Sequence, residues 1–439
     1  MISAPVFGIL MFIAMLIMVV IGFPVYIAML ATGICGILYN NGMAMLLTQF
    51  TTGPFSLSAS YNYAVMPLFT FLGILAGETG IAQGAYYCMH TLLSRLRGNL
   101  LYSTIAGNAI FGACSGNGNA SSIVFAKIAL PEMKKYHYDE KLSLGCVTAS
   151  GALAGLIPPS IPIVNAAILS GYSVGTALMY GLSTGILTTF MMFFMVWIIG
   201  IIQPNKVPGV TEEDRKISFR DRMKSLQFLL PIALLFFLII GGSFFGWFHP
   251  TVGGAVGAGA VLIYALFKRV PVRRILRAAW ESAHIFAGTY LIIVSGTMFS
   301  RMISLSGLTG MLVDAIERSN FSPYGVIFSV LIVYLIAGCV MDILAVIVVT
   351  VPVFFPILTS LGFDPYILCM IVVLSGCIGG ITPPIGVAAF TISNVTGVPT
   401  QKIFQGVWPF VVSELLVAVL IILFPQIVSW LPTMLAALK

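Results

Sequence analysis

"GLIPPSIP" (155–162) and "GGITPPIG" (379–386) each set two adjacent prolines inside an apolar run long enough for a membrane helix. A proline inside a helix removes one backbone donor and clashes with the carbonyl one turn back, at a cost of about 3 kcal/mol. No water repairs that loss in hydrocarbon, so irregular backbone at membrane depth survives only against protein or a watery cavity. Both stretches therefore predict a helix that opens its backbone at a protected place near the bilayer centre.

The two stretches are copies of one another. With "ASGALAGLIPP" (149–159) set over "LSGCIGGITPP" (374–384), Ser150 meets Ser375, Gly151 meets Gly376, Gly155 meets Gly380, and Pro158 and Pro159 meet Pro383 and Pro384, all at an offset of 225. The same offset pairs Pro131 with Pro356, Tyr138 with Phe363, Asp139 with Asp364, Cys114 with Cys339 and Asn117 with Asp342. A fixed offset over so many positions marks an internal repeat.

The rest of the chain is as apolar as these segments: 59% of residues are hydrophobic and 8% charged, against about 25% charged in soluble domains. Apolar runs able to cross a hydrocarbon core about 30 Å thick recur along the length, which makes this an all-α polytopic membrane protein. We expect about ten spans, near 2–22, 25–47, 64–92, 142–171, 175–202, 227–246, 251–268, 282–304, 366–396 and 406–432. The first basic residue is Arg95, so the N-terminus lacks the positive region of a cleavable signal and 2–22 reads as a retained span. Polar "QPNKVPGVTEEDRKISFRDRMKSLQ" (203–227) reads as a cytoplasmic linker between a first half, 1–202, and a second half, 228–439.

The net charge of +7 is spread over short loops and forms no continuous basic face, which argues against a nucleic-acid partner. The seven cysteines show no Cys-x-x-Cys spacing and the four histidines no metal-ligand spacing. No Walker-type Gly-Lys-Ser/Thr sequence is present. "GGAVGAGA" (253–260) has small residues at helical spacing and fits close helix packing.

Basic residues also orient the copies, because cytoplasmic loops carry them in excess. Residues 94–141 hold Arg95, Arg97, Lys127, Lys134, Lys135 and Lys141, whereas the equivalent window 319–366 holds none. The copies are thus expected to face opposite sides of the membrane, with both termini outside. The apolar stretch 103–130 then lies between two cytoplasmic loops and must leave and return on one side, as a re-entrant hairpin with the polar tip "CSGNGNASS" (114–122). Its partner, 324–356, has the tip "AGCVMD" (337–342) and enters from outside.

Two hairpin tips and two broken helices, 142–171 and 366–396, are expected to converge at the midplane. Half-helix N-termini there favour an anion, and unwound carbonyls and C-terminal ends hold a cation. Candidate sodium ligands are Ser115, Asn117, Gly151, Gly155, Gly338, Asp342, Gly376, Gly380 and Thr382. Candidate substrate contacts are Ser115, Asn117, Asn119, Ser121, Pro158, Asp342 and Pro383. Asp342 is an ionisable group at membrane depth and so a functional candidate; capping of the hairpin's second helix competes for it, as for Asn117 and Asn119. Lys127 fits snorkelling to the cytoplasmic surface.

In order along the chain, "RLRGNL", "FGACSGNGNASS", "ALPEMKKYHYD", "GLIPPSI", "LGFDPY" and "GGITPPIG" resemble the motifs of the large membrane subunit of tripartite ATP-independent periplasmic (TRAP) transporters. The resemblance covers essentially the whole chain. It implies an elevator-type, sodium-coupled importer of an organic acid anion, a carboxylate or sulfonate, in the bacterial inner membrane. It also implies two protein partners, a small four-span membrane subunit and a periplasmic substrate-binding protein, with no cofactor beyond sodium. Ser115, Gly116, Asn117 and Gly118 stand where that family usually reads Ser-Gly-Ser-Ser. Other readings are a stand-alone sodium/divalent-anion carrier, a channel, and an intramembrane enzyme, the last lacking any base placed beside a serine.

Overall fold

The computed structural model describes residues 3–318 and 321–437. Residues 1, 2, 319, 320, 438 and 439 lie outside the described residues; they include the edges of the expected first span, of both halves and of the charge-free window. The described chain is helical throughout. It opens with α1 (Ala4–Val20), α2 (Val25–Ser58), α3 (Val65–Glu78) and α4 (Ile81–Leu93). The first hairpin follows as α5 (Asn99–Ser115) and α6 (Gly118–Lys135), and the first broken helix as α7 (Glu140–Gly151), α8 (Leu153–Leu156) and α9 (Ile161–Ser170). After α10 (Val174–Ile202) come short α11 (Glu212–Arg215) and α12 (Phe219–Ser225), then α13 (Leu230–Phe236) and α14 (Gly242–Phe244), joined by a π turn. The second half continues with α15 (Pro250–Phe267), α16 (Val272–Ser306), α17 (Leu308–Arg318), the second hairpin α18 (Pro323–Val340) and α19 (Ile343–Ser360), the second broken helix α20 (Pro365–Ile381) and α21 (Val387–Thr396), and finally α22 (Thr400–Leu423) and α23 (Gln426–Ala437).

Among the described residues seven helices are long and apolar enough to cross a bilayer, or nine if each of two sharply bent pairs is one crossing. The expected span 64–92 is one such pair, α3 and α4, bent by 64° where Gly80 takes a positive φ of 80°. The first broken helix is the other, bent by 44° between α8 and α9. Span 25–47 extends to Ser58 through a kink at Gly42, span 282–304 starts ten residues earlier at Val272, and 406–432 divides at Phe424. α17 follows no expected span.

The offset of 225 holds for the structure beyond the motifs that revealed it. α5, α6, α9 and α10 map onto α18, α19, α21 and α22, α7 together with α8 maps onto α20, and Val25 at the start of α2 maps onto Pro250 at the start of α15. Contacts at the ends show the copies inverted. At one end Asp139 N donates to Lys206 O at 3.3 Å, and Glu140 pairs with Lys402 at 2.7 Å. At the far end of the same broken helix, Tyr172 packs on Tyr366, and Tyr180 Oη donates to Asp364 at 3.0 Å. Asp139 and its counterpart Asp364 therefore occupy opposite ends of one bundle.

The copies interlock rather than stand side by side. α2 packs on α16 and α15 on α3, forming one group; α6 meets α21 and α9 meets α19 in the other. Close approach of backbones allows the second group to be dense. A Cβ added at Gly145 on α7 would lie 2.0 Å from Gly406 O on α22, and one at Gly406 would lie 1.8 Å from Lys141 O. In the 253–260 stretch Gly254 and Gly257 are pressed against Val65 and Ile239, as small-residue packing requires, while Gly259 faces open space.

Segment 203–227 is docked rather than loose. Arg97 donates to Val207 O at 3.0 Å and to Pro204 O at 2.7 Å, and Arg222 reaches Ser94 Oγ at 3.0 Å. Asp214, 6% exposed, accepts from Asn99 Nδ2 at 2.8 Å and Thr211 Oγ1 at 2.7 Å, and lies 3.1 Å from His90 Nε2. A buried acid whose partners come from three places fixes their geometry, and removing it strands the rest. Asp214→Ala is expected to cost about 3 kcal/mol. The checks are a lower melting temperature in detergent and faster proteolytic cleavage within 203–227; unchanged cleavage would show the segment undocked.

Candidate functional site

Four interruptions of helix meet where the second group faces the first. Each hairpin tip is stapled to the break of its own copy by one main-chain hydrogen bond: Ile161 N donates to Gly116 O at 3.3 Å, and Gly386 N to Cys339 O at 3.3 Å. Around the meeting point is a cavity of about 110 Å³. The starts of four helices line it: Gly118 and Asn119 of α6, Ile161 and Pro162 of α9, Ile343 and Leu344 of α19, Val387 and Ala388 of α21. Helix ends line it too, through Gly116, Gly155, Met341, Gly380 and Ile381.

Local sequence explains each start. Asn117 is extended and its side chain accepts from Ala120 N at 3.2 Å; Asp342 does the same for Leu344 N at 3.2 Å. Ser160 caps α9 by accepting from Ile163 N at 3.3 Å, and its hydroxyl also donates to Gly155 O across the break. Gly386, at φ 57°, starts α21 without a side chain. These caps leave the remaining first-turn N–H groups directed along the helix axes, where aligned peptide dipoles favour negative charge.

Asn117, Asn119, Gly155, Asp342, Gly376 and Gly380 line the cavity. The other candidates lie behind its wall. Ser121 Oγ donates to Asn108 Oδ1 at 2.7 Å, and Asn108 Nδ2 donates to Ser150 Oγ at 2.8 Å, so this serine is engaged in the hairpin interior. Gly151 is pressed against Ser122, and Gly338 against Gly379, where they serve packing. Thr382 Oγ1 donates back to Ile378 O at 2.5 Å. Pro158 is buried and Pro383 half-buried outside the lining, where they interrupt the helices without touching the cavity. Ser115 is buried with an Oγ that has no partner, pressed against Gly73.

The lining is electrostatically one-sided. Asp342 is its sole carboxylate, no Lys, Arg or His lines it, and no ion pair engages Asp342 among the described residues. A carboxylate, open carbonyls and an amide oxygen suit a hard monovalent cation, while the four N-termini suit an anion.

Several contributors were not legible beforehand. Met66 and Thr70 from α3 and Ile285, Phe286 and Thr289 from α16 close the cavity from the other helix group. Nothing in an apolar span announces such a wall. Thr148 also lines it, beside Ser122 of the polar tip 114–122, a serine the sequence does offer as a sodium ligand or helix cap and which donates to Thr148 O at 3.4 Å. Glu414, a carboxylate inside the apolar run 406–432, is a signal the sequence does carry; it is buried, with no partner for either oxygen among the described residues.

Residues 12–427 match the family described as the tripartite ATP-independent periplasmic transporter, DctM component. The chain is 28% identical over 422 residues to the ectoine TRAP transporter large permease protein TeaC of Halomonas elongata, covering 94% of this chain and 96% of that protein. It is 28% identical over 384 residues to the C4-dicarboxylate TRAP transporter large permease protein DctM of Pseudomonas aeruginosa, covering 86% and 88%. With the sialic acid TRAP transporter large permease protein SiaM of Vibrio cholerae the identity is 26% over 379 residues, covering 85% and 86%. The fold is also similar to that of the YdaH transporter of Alcanivorax borkumensis, with a TM-score of 0.55 at 14% identity over 88% of this chain and 90% of that one.

Proposed function

The chain belongs to the DctM family of TRAP transporter large permeases, and from that membership we propose that it imports an organic acid anion together with sodium. As a member it is a multi-pass inner-membrane transport protein and not an enzyme. The proposal extends this to mechanism. Sodium occupies the cavity beside Asp342 and the opened carbonyls of Gly155 and Gly380, and the anion's carboxylate or sulfonate takes the N-terminal ends of α6, α9, α19 and α21. Bound cation and helix dipoles together offset the anion where no basic side chain is present.

The single observation that carries the reading is the convergence of all four breaks on a cavity whose only carboxylate is Asp342. An elevator motion fits the same geometry. The cavity lies on the boundary between the α2, α3, α15 and α16 group and the hairpin group, so sliding one group past the other carries the site across the membrane. A small membrane subunit and a periplasmic binding protein complete the system in this proposal.

Reconstitution tests it. Proteoliposomes holding the chain and small subunit, offered ectoine, sialic acid or a C4-dicarboxylate with and without the cognate binding protein, are expected to take up one of these compounds only with binding protein and an inward sodium gradient. Sodium-independent flux would overturn the coupling. Uptake without binding protein would instead favour a stand-alone carrier, and non-saturating flux a channel.

A further inference from the structure

Glu414 sits about 21 Å along α22 from Thr400, at the usual rise of 1.5 Å per residue. Its side chain is fully buried, and among the described residues neither carboxylate oxygen has a hydrogen-bond partner. α22 and α7 run side by side in the same direction from the Lys402–Glu140 pair through the Gly406–Gly145 contact. That register brings Glu414 level with Ala152, at the junction of α7 and α8. Cys377 connects this level to the cavity: it lines the cavity, and its Sγ donates to Ala152 O at 3.7 Å.

Nothing around Glu414 offsets a charge. Of the elements packed on α22, α7 offers Glu140 and Lys141 at the distant cytoplasmic end and Cys146, whose thiol donates to Leu101 O. α20 offers Tyr366 and Cys369 at its outer end and Cys377 near the site; α10 offers Tyr180, engaged by Asp364; α21 and α23 offer no titratable group. A metal cation needs several oxygen ligands, and here Ser413 Oγ already donates to Phe410 O at 2.7 Å beside buried Phe410, Val411, Val417 and Ala418. A lone buried carboxylate is neutralised by a proton in such surroundings.

We propose that Glu414 is a proton-binding site, holding one proton in this conformation and exchanging it with water when the helix break beside Cys377 opens during transport. The step adds a proton to a carboxylate to give a carboxylic acid and returns it to water, with no change of redox state. The exchange rests on the carrier reading above; the bound proton does not.

Two measurements separate the parts. Infrared difference spectra of the purified full chain against Glu414→Gln, near neutral pH, are expected to show loss of one carboxylic-acid C=O band that shifts in D2O; Glu414→Asp, the fallback if the Gln variant does not fold, should move the band rather than remove it. Spectra with no such loss or movement overturn the proposal. In proteoliposomes with the complete complex, uptake of whichever of ectoine, sialic acid or C4-dicarboxylate it carries is expected to change about ten-fold per pH unit on one limb of the parent's profile, as for a single controlling proton, and to be flat in Glu414→Gln. Superimposed profiles overturn the exchange even where the band is lost. Absence of any uptake by the parent would instead count against the carrier reading and leave the infrared result standing.

Discussion

Asp342→Asn is expected to lower sodium-driven uptake about a hundred-fold or more while leaving the protein folded. The asparagine is nearly the same size and keeps an oxygen for Leu344 N, which now lies 3.2 Å from the carboxylate, so the start of α19 remains capped. What disappears is the only carboxylate of the cavity. A hundred-fold corresponds to about 2.7 kcal/mol, within the range for losing a charge-assisted contact in a partly dry site. Asp342→Ala loses cap and charge together and separates the two roles: it should melt lower than the Asn variant but transport no worse. Uptake by Asp342→Asn above a tenth of the parent's would remove the charge from the mechanism.

Gly145→Ala is expected to be severely damaging for a single added methyl. Its Cβ would fall 2.0 Å from Gly406 O and 2.2 Å from Gly406 C, and these are backbone atoms that no rotamer change can move. α7 and α22 would have to part, and α22 is also packed on α10 and α20. Overpacking of this kind costs about 1–3 kcal/mol in soluble cores where side chains can yield; with backbone on the other side we expect about 4 kcal/mol or more, seen as a large fall in melting temperature or failure to accumulate. Gly259→Ala is the control. Nothing lies within 4 Å of its Cβ position, so better helix propensity should leave stability level or raise it. Equal behaviour of the two variants would show that the α7–α22 approach is not close in solution.

The sequence disclosed the part of the fold that repeats in residue identity. Paired prolines, Asp139 with Asp364, and the change from basic to uncharged windows located both hairpins and both breaks to within a few residues. The outer helices were harder because almost any apolar residue satisfies lipid, so α3 and α4 share their architecture with α16 and α17 without sharing letters. Nothing in the sequence sets Gly80 apart from other glycines in apolar runs, and only its positive φ makes it the bend. Asp214 read as one charge in a polar stretch, since its partners His90 and Asn99 are more than a hundred residues away. Within the site, residue type pointed to the right loops but not to side-chain direction: Ser121 and Asn119 are two residues apart, and one turns inward to Asn108 while the other lines the cavity.

The mirror relation between the copies stops short of their polar interiors. In the first hairpin a chain of hydrogen bonds runs from Ser121 through Asn108 to Ser150 on α7; the equivalents of the first two are Val346 and Val333, and Ser375, the equivalent of the third, turns back on Ile371 O. The second hairpin meets α20 through bare backbone at Gly338 and Gly379. Among the described residues, peeling it from α20 breaks no side-chain hydrogen bond, whereas peeling the first from α7 breaks Asn108 Nδ2 to Ser150 Oγ and Ser122 Oγ to Thr148 O, and each unmet buried group costs about 1–3 kcal/mol. A duplicated module has thus become unequal in its two copies: the second hairpin rests on its broken helix by shape, and the first is tied to its own by side-chain hydrogen bonds.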